Sequence, residues 1–309
     1  MSVLSGGNFA DLLEPGLRAI FDKAVSRPTP VKDQLFGQQS STKFQEHYQS
    51  MGATGIVEVF DGTVKYDTFD AGYKTSIRNY EFAKGMQIER SLVDDEQGNE
   101  IQRRAEMLGD AFVTTPEHDA AQVFINAFTD SGTNRMGAST NGADGVALCS
   151  TAHPHSPAAS GSTQANEATL DLNIDNVDST RQAMMNFTDD RDQLLGVNPN
   201  LVLIPAELER TARQIFDPRA VWEPGSAQFD VNMFGGMMRV LVWNRLTDAN
   251  AWFMIDTNLM SQALIFQWRI RPEFDQAQDF DGLLAKYRGY MRYGIGWLDW
   301  SWIYGQNPS

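Results

Sequence analysis

The sequence is poor in cysteine, since Cys149 is the single one among 309 residues. An internal disulfide is therefore impossible, and a disulfide between subunits could only join Cys149 to its own copy. The scarcity fits a reducing compartment. No run of about 18 apolar residues is present, which excludes a membrane-spanning helix. The first residues, MSVLSGGNFADLL, lack the basic and apolar regions of a signal peptide, so a cytoplasmic origin is expected.

Positive charge is also scarce, because 25 Lys and Arg stand against 40 Asp and Glu, which gives a formal net charge of −15. Proteins that bind nucleic acid usually carry a basic surface, since neutralising phosphates supplies much of the affinity. Specific DNA binding is therefore not expected. A chain of this length with 42% hydrophobic residues can form one large domain or two smaller ones.

The first predicted element is a helix near the N-terminus. Pro15 suits a first helical turn, where its missing N–H is not needed, and the helix must end before Pro28. One face of the helix carries the apolar residues Leu17, Ile20, Phe21, Ala24 and Val25. A helix this short needs a partner for its apolar face. That partner is either the chain's own core or a neighbouring subunit, and the sequence does not distinguish the two.

Residues 55–89 predict an extended β-hairpin. The stretch GIVEVFDGTVKYDTF alternates apolar and polar residues in the manner of a strand pair, and Asp61-Gly62 is typical of a hairpin turn. A second turn at DAGY precedes TSIRNYEFAKGMQIER, in which the strand-like alternation resumes. The whole segment is expected to be a long excursion from the core.

A long helix is predicted after the acidic run Asp94-Asp95-Glu96, whose charges complement a helix N-terminus. Its apolar stripe begins with Ile101, Ala105, Leu108 and Phe112. Thr115-Pro116 is typical of a cap followed by a first-turn proline, which predicts a restart or a kink before the stripe continues to Phe128. One kinked rod over residues 100–128 would span about 43 Å, at about 1.5 Å per residue.

The second half of the chain predicts a mixed α/β domain. Residues 129–169 indicate an irregular, partly mobile surface excursion in which VALCS alone is strand-like. A helix near residues 176–187, the strand NLVLIP, a helix opened by Pro205 and the strands MMRVLVW and AWFMID then follow. ALIFQWRIRP and LLAKYRGYMRYGIGWLDWSWIYG predict long closing strands. The aromatic stripe from Trp297 to Tyr304 favours a strand with one face in the core and a more polar opposite face.

Cys149, His153 and His155 are the sharpest candidates for chemistry. A thiolate and imidazoles could ligate zinc, with His118 or an aspartate completing the site, or Cys149 and His153 could form a nucleophile pair. The spacing C-x3-H-x-H matches no common structural zinc motif, and no third group is singled out to orient the pair. We therefore predict no catalytic, cofactor-binding or metal-binding residues. The alternative function is a soluble α/β metal-dependent hydrolase built on these three residues.

The order of the predicted elements resembles the Hong Kong 97 phage fold, in which an arm, an extended loop, a spine helix, a peripheral domain and an axial domain follow one another. Three segments are similar to the Mu-type major head subunits: YKTSIRNYEFAKGMQIERSLVDDEQG, DGVALCSTAHP and PNLVLIPAELERTARQIF. The matching positions in the first are Ile77, Asn79, Phe82, Ile88, Arg90 and Asp94-Asp95. The chain thus resembles a tailed-bacteriophage major capsid protein, either Mu-type or from a neighbouring family with the same fold.

The resemblance implies an α+β fold of the Hong Kong 97 type with five parts. They are an N-terminal arm with a short helix (1–54), an extended β-hairpin loop (55–89), a peripheral domain with the spine helix (90–140), an axial α/β domain (141–272) and C-terminal strands that return to the peripheral domain (273–309). The chain begins almost directly with the arm, so a separate scaffold protein or none is expected.

The resemblance also implies a non-catalytic structural function without a cofactor. The protein is expected to form pentamers and hexamers of itself in an icosahedral shell that encloses double-stranded DNA without binding it specifically, and to contact no membrane. Scaffold, portal and cementing proteins are further candidate partners. The expected location is the virion capsid, after assembly in the cytoplasm of the host bacterium.

Overall fold

The computed structural model describes most of the chain: residues 9–27, 31–53, 55–57, 59–64, 66, 71–95, 98–157, 163–218, 234–279 and 282–308. The helices there are α1 (Phe9–Val25), α2 (Lys32–Leu35), α3 (Arg90–Asp94), α4 (Gly98–Ile125), α5 (Ile174–Met185), α6 (Glu209–Phe216) and α7 (Thr257–Ala263). The strands are β1 (Gly37–Ser40), β2 (Gln45–Met51), β3 (Ala71–Arg78), β4 (Tyr80–Glu89), β5 (His153–Pro154), β6 (Thr163–Gln164), β7 (Glu167–Ala168), β8 (Leu201–Ile204), β9 (Arg239–Val242), β10 (Trp252–Ile255), β11 (Leu264–Asp279), β12 (Leu284–Trp297) and β13 (Ile303–Gln306). No helix in these ranges has the length and apolar character needed to cross a membrane.

Two larger sheets organise these elements. One has the order β1-β11-β12-β4, with β1 parallel to β11 and the other pairs antiparallel. The second has the order β7-β13-β10-β8-β9, with parallel pairs at both edges. Strands β2 and β3 form an antiparallel pair of their own. This mixture of helices and sheets confirms the α+β class.

The long helix predicted from the apolar stripe is α4, with 28 residues. Its buried face includes Ile101, Ala105, Leu108 and Phe112. Phe112 lies over Gly289 of β12, where any side chain would overlap the phenyl ring. The predicted restart at Thr115-Pro116 is wrong, because the helix is continuous there. The Thr115 hydroxyl donates to the carbonyl of Ala111 at 2.7 Å and therefore does not cap a helix.

The long helix follows the acidic run, as predicted, but a short helix includes the first residue of that run. Residues Arg90–Asp94 form the short helix α3, α4 begins at Gly98, and Glu96 lies outside the described residues. Glu100 is the acidic residue in the first turn of α4. A carboxylate there complements the helix dipole, so Glu100 has the role that the sequence predicts for the acidic run.

Helix α1 contains Pro15 instead of starting at it, and Pro28 lies outside the described residues. Packing compensates for the backbone hydrogen bond that an internal proline removes. The buried Phe21 ring contacts the ring of Phe112 on α4 at 5.5 Å between centroids and that of Phe274 on β11 at 5.1 Å. The chain's own core is therefore the partner of this apolar face.

The strands of the predicted hairpin differ from those that the alternation indicated. Strand β2, upstream of residue 55, pairs with β3. The described residues between them, 52–53, 55–57, 59–64 and 66, form no strand, and the others lie outside the described part of the chain. Strand β4 follows after Asn79 and pairs with β12, not with β3. The turn itself is present: Gly62 has a φ of +103° and the Thr63 N–H donates to the Asp61 carboxylate at 3.2 Å.

Residues 129–157 are irregular but not a loose surface excursion, and VALCS is not a strand. Ala147, Leu148 and Cys149 are all buried. The Cys149 N–H donates to the carbonyl of Ala127 at the end of α4 at 2.8 Å. The backbone N–H of Cys149 thus bonds to a residue that follows α4 and not to a neighbouring strand. Residues 158–162 lie outside the described part of the chain.

The order predicted for the α/β domain is confirmed. Helix α5 is capped by Asn173, whose side chain accepts from the Asn176 N–H at 2.9 Å. Strand β8 is buried throughout, and Pro205 leads through one 3₁₀ turn into α6. Strands β9 and β10 occupy MMRVLVW and AWFMID, as expected.

The C-terminal aromatic stripe is buried, as predicted, but it is not a single strand. Trp297 ends β12 in the first sheet, residues 298–302 form a turn, and β13 lies in the second sheet. Trp300 and Trp302 are therefore buried in the connection between the two sheets. The predicted polar face is wrong, because Ser301 is also buried and bonds to the Asp299 carboxylate.

Candidate assembly surface

Cys149 lies in the core, where its thiol is not set up as a nucleophile. The side chain is buried, and a side chain on Gly305 would overlap both the Cys149 sulfur and the Phe128 ring. Burial, together with the nearby Glu167 carboxylate, raises the pKa of the Cys149 thiol well above its usual value. A thiol must lose its proton to attack or to bind a metal, so this environment opposes both.

The two histidines of the cluster have separate surroundings. His153 is fully buried; its Nδ1 lies 2.7 Å from an oxygen of Asp144, and its ring stacks on Trp300 at 4.6 Å between centroids. His155 is half-buried and lines a surface cavity. His118 lies on α4 beside Asp119, at 3.2 Å. Among the described residues, no three His, Cys, Asp or Glu side chains are placed to hold a metal ion.

We predict that native protein reacts with a thiol reagent at least about a hundredfold more slowly than protein unfolded in urea, because the Cys149 thiol is buried and protonated. Labelling followed by mass spectrometry measures both rates, and Cys149→Ser provides the blank. Elemental analysis of the same sample should find no stoichiometric zinc. Fast labelling of native protein together with bound zinc would support the hydrolase alternative.

The β2–β3 hairpin is the feature that extends from the core. Gln45 pairs with Arg78 at its base and Met51 with Ala71 at its far end, with an irregularity between Gln49 and Met51. Gly72 is required at that end, because a side chain there would overlap the backbone of Ser50.

A buried polar cluster joins the hairpin base to the first sheet. The Asn79 amide donates to the Ser41 hydroxyl at 2.8 Å and to the carbonyl of Lys43 at 2.9 Å. Its oxygen accepts from the amide of Gln267 on β11 at 3.0 Å, and Gln267 also donates to the carbonyl of Ile77 at 2.9 Å. Asn79 and Gln267 are both buried, so the cluster fixes where the β2–β3 hairpin meets the first sheet.

The sequence does not predict that Asn79 and Gln267 bond the hairpin to the first sheet. Asn79 is one of the positions that match the family, and Gln267 lies inside a predicted strand. A polar residue between two alternating runs is the signal that could have identified Asn79.

Beyond the paired strands, the hairpin carries an exposed apolar segment, defined here as residues 55–66. Its large apolar side chains are between 60% and 94% exposed in the described residues. They are Ile56, Val57, Val59, Phe60, Val64 and Tyr66. Contiguous exposed apolar surface on a folded protein usually marks an interaction site. The hairpin is therefore suited to contact another molecule.

Solved structures with a similar fold are phage capsids and a related particle. The procapsid of bacteriophage JBD30 is 14% identical, with 97% of this chain and 75% of that chain covered and a TM-score of 0.50. The capsid of an empty GTA particle is 14% identical (92% and 91% covered, TM-score 0.55), and the mature capsid of bacteriophage PhiM1 is 11% identical (89% and 85% covered, TM-score 0.56). At these identities the likeness concerns the fold.

The search of curated proteins gave no match. The sequence model of the family described as "Phage capsid protein" matches residues 72–305, from β3 to β13. The match covers most of the chain and includes the long helix, the second sheet and three of the four strands of the first sheet. The chain therefore belongs to the phage capsid protein family, whose members build shells.

Proposed function

We propose that this protein is the major, non-catalytic subunit of an icosahedral phage shell, and that it assembles with its own copies through the exposed apolar segment. The exposure of that segment is the observation that carries the proposal. Each such side chain contributes about 1.5–3 kcal/mol when it is removed from water. Within the described part of the chain these side chains remain in solvent, so a second copy that covers them supplies the missing burial.

We propose a division of the chain into five parts. We assign residues 1–54 to the arm, 55–89 to the hairpin loop, 90–140 to the peripheral domain, 141–272 to the axial domain and 273–309 to the returning strands. Because β2 pairs with β3, we move β2 from the arm to the hairpin. The second sheet takes β7, β8, β9 and β10 from the axial part and β13 from the returning strands. In this proposal the axial parts gather in pentamers and hexamers.

The net negative charge of the chain determines how DNA could enter such a shell. With a formal net charge of −15, the protein repels DNA on average, so packaged DNA has to be driven in by a motor at a portal. Scaffold and cementing proteins are further partners in this proposal. Assembly takes place in the host cytoplasm, and the finished subunit belongs to the virion.

We predict that wild-type protein forms closed particles of megadalton mass, and that the triple change Val57→Ser, Val59→Ser, Phe60→Ser leaves the subunit folded but abolishes them. The three side chains are exposed, so folding loses little, whereas the lost burial raises the concentration needed for assembly more than about a hundredfold. Light scattering and negative-stain microscopy measure assembly, and circular dichroism measures folding.

The matched control replaces three exposed apolar residues elsewhere: Met107→Ser, Leu194→Ser and Met237→Ser. These side chains are 63%, 67% and 44% exposed. The control should assemble better than the hairpin variant. Normal particles from the hairpin variant would refute the role of the segment, and a wild-type protein that stays monomeric would refute the shell function.

A further inference from the structure

The hairpin is fastened to the rest of the subunit at a second place, far from the Asn79 cluster. The backbone N–H of Ala53, two residues past the end of β2, donates to the carboxylate of Asp190 at 3.0 Å. Asp190 belongs to the connection between α5 and β8, in the part of the chain that forms the second sheet. The hairpin is thus bonded to the first sheet at its base and to the axial part near its far end.

A tight turn presents the Asp190 carboxylate. The neighbouring Asp189 side chain accepts from the N–H groups of Arg191 and Gln193 at 2.8 and 2.9 Å. Asp192 has a φ of +60°, a left-handed conformation that closes the turn, and the backbone N–H of Asp189 donates to the carbonyl of Gln193 at 2.8 Å. The internal hydrogen bonds of the turn fix the backbone from which the Asp190 side chain extends to Ala53.

A cavity of about 300 Å³ separates the hairpin from the axial part beside this contact. Gly52 and Tyr73 line it on the hairpin side, while Asp144, Asp190 and Trp300 line it on the other. Burial raises the pKa of the Tyr73 hydroxyl, with the Asp144 carboxylate as a smaller cause. The two surfaces are therefore close but not tightly packed, and a directed hydrogen bond has more influence there than in a filled interface.

We propose that Asp190 is a positioning residue for assembly: its bond to Ala53 fixes the direction in which the exposed apolar segment leaves the subunit. The Asn79 cluster and the Tyr48 hydroxyl, which donates to Gln39 and Gln267 at 3.1 and 3.3 Å, bond the hairpin to the first sheet. The Asp190 contact adds a second fixed point on the other sheet. This inference rests on the proposed shell function, because a direction matters only if the segment must meet a neighbour.

The contact can be tested first in the free subunit by hydrogen exchange. Asp190→Ala removes the acceptor, so exchange of the amides in residues 50–53 should become at least about tenfold faster. Asp190→Asn keeps an acceptor oxygen and should stay near wild type. The control is Asp178→Ala, since Asp178 accepts from Gln182 on the same helix at 2.7 Å and has no such contact with the hairpin. Unchanged exchange in Asp190→Ala would overturn the proposal.

Assembly supplies the readout that a purely structural role would not change. Asp190→Ala should form shells of irregular curvature and broader diameter, at a thermal midpoint like that of Asp178→Ala, whereas Asp190→Asn should form uniform shells. In a Cys149→Ser background, Ala53→Cys with Asp190→Cys should give irregular shells when reduced. Joining the two cysteines by oxidation or a short bis-thiol crosslinker should restore uniform shells.

The possible failures are distinguishable. Uniform shells from Asp190→Ala, or no improvement after the two cysteines are joined, would refute the positioning role while leaving the shell function intact. Wild-type protein that forms no particles would refute the shell function. The exchange measurement would then still show whether Asp190 holds the hairpin.

Discussion

Leu108→Asp is expected to yield little or no soluble folded protein, whereas Met107→Asp on the same helix should fold. Leu108 is 4% exposed and Met107 is 63% exposed, so the two changes place the same carboxylate in the core and in water. An unpaired buried carboxylate costs several kcal/mol or stays protonated. Against a typical total stability of about 5–15 kcal/mol, that cost is enough to unfold many domains.

Soluble yield and thermal unfolding followed by circular dichroism measure the difference. Met107→Asp should lose no more than about 1 kcal/mol, which is usual for a surface change. Equal melting temperatures for the two variants would mean that α4 does not present Leu108 to the core. The orientation of the long helix would then be wrong.

This helix also shows what the sequence was able to predict. The stripe from Ile101 to Phe112 depends on spacings of three and four residues, which are local and need no knowledge of the partner. The same applies to β8, whose four consecutive buried residues lie between a Pro-containing turn and an Asn. Periodicity therefore gave the existence and the inward face of these elements, with ends that differ by a few residues.

The hairpin was only partly predictable because alternation reports burial on one face, not the identity of the partner. Residues 55–64 alternate, yet they form no strand in the described residues, and their apolar side chains are exposed. Strand β2, with the sequence QEHYQSM, has no apolar face but pairs along its length with β3. These exposed side chains are the surface that we propose a second copy covers, and alternation within one chain does not reveal such a partner.

For the same reason, contacts between distant segments could not be predicted from the sequence. Trp300 stacks on His153, and Asp190 bonds to Ala53, although each pair is separated by more than a hundred residues of sequence. Neither pair has a local spacing that would reveal it. The Cys149–His153–His155 cluster is the opposite case: its members are close in sequence, but the fold gives each a different environment.

One such distant network joins α4, β12 and the segment after α4. The Asp119 carboxylate is fully buried, accepts from the Tyr293 hydroxyl at 2.6 Å, and accepts from Arg135 at 2.9 and 2.7 Å. Burial, with the Asp119 carboxylate as a further cause, raises the pKa of the Tyr293 hydroxyl well above its usual value. The hydroxyl therefore remains protonated and donates to Asp119 throughout the neutral range.

Asp119→Ala is expected to lower the free energy of unfolding by about 2–3 kcal/mol, because it leaves the Tyr293 hydroxyl buried without its acceptor. Arg135 also loses its partner, but its side chain is 47% exposed and adds little to the cost. The matched control is Asp110→Ala on the same helix. Asp110 pairs with Arg27 at 2.8 Å, but both side chains are about half exposed, so the loss should stay below about 1 kcal/mol. Urea unfolding of each variant measures both changes.

A double-mutant cycle separates this network from general disruption of the helix. Tyr293→Phe alone removes the hydroxyl and should cost about 1–2 kcal/mol, because Asp119 keeps its bonds to Arg135. In the combination of Asp119→Ala with Tyr293→Phe no hydroxyl is left without an acceptor, so its cost should be lower than the sum of the single changes by at least about 0.5 kcal/mol. Strict additivity would show that Asp119 and Tyr293 are not coupled, and the cost of Asp119→Ala would then have to come from its other contacts, such as those with Arg135.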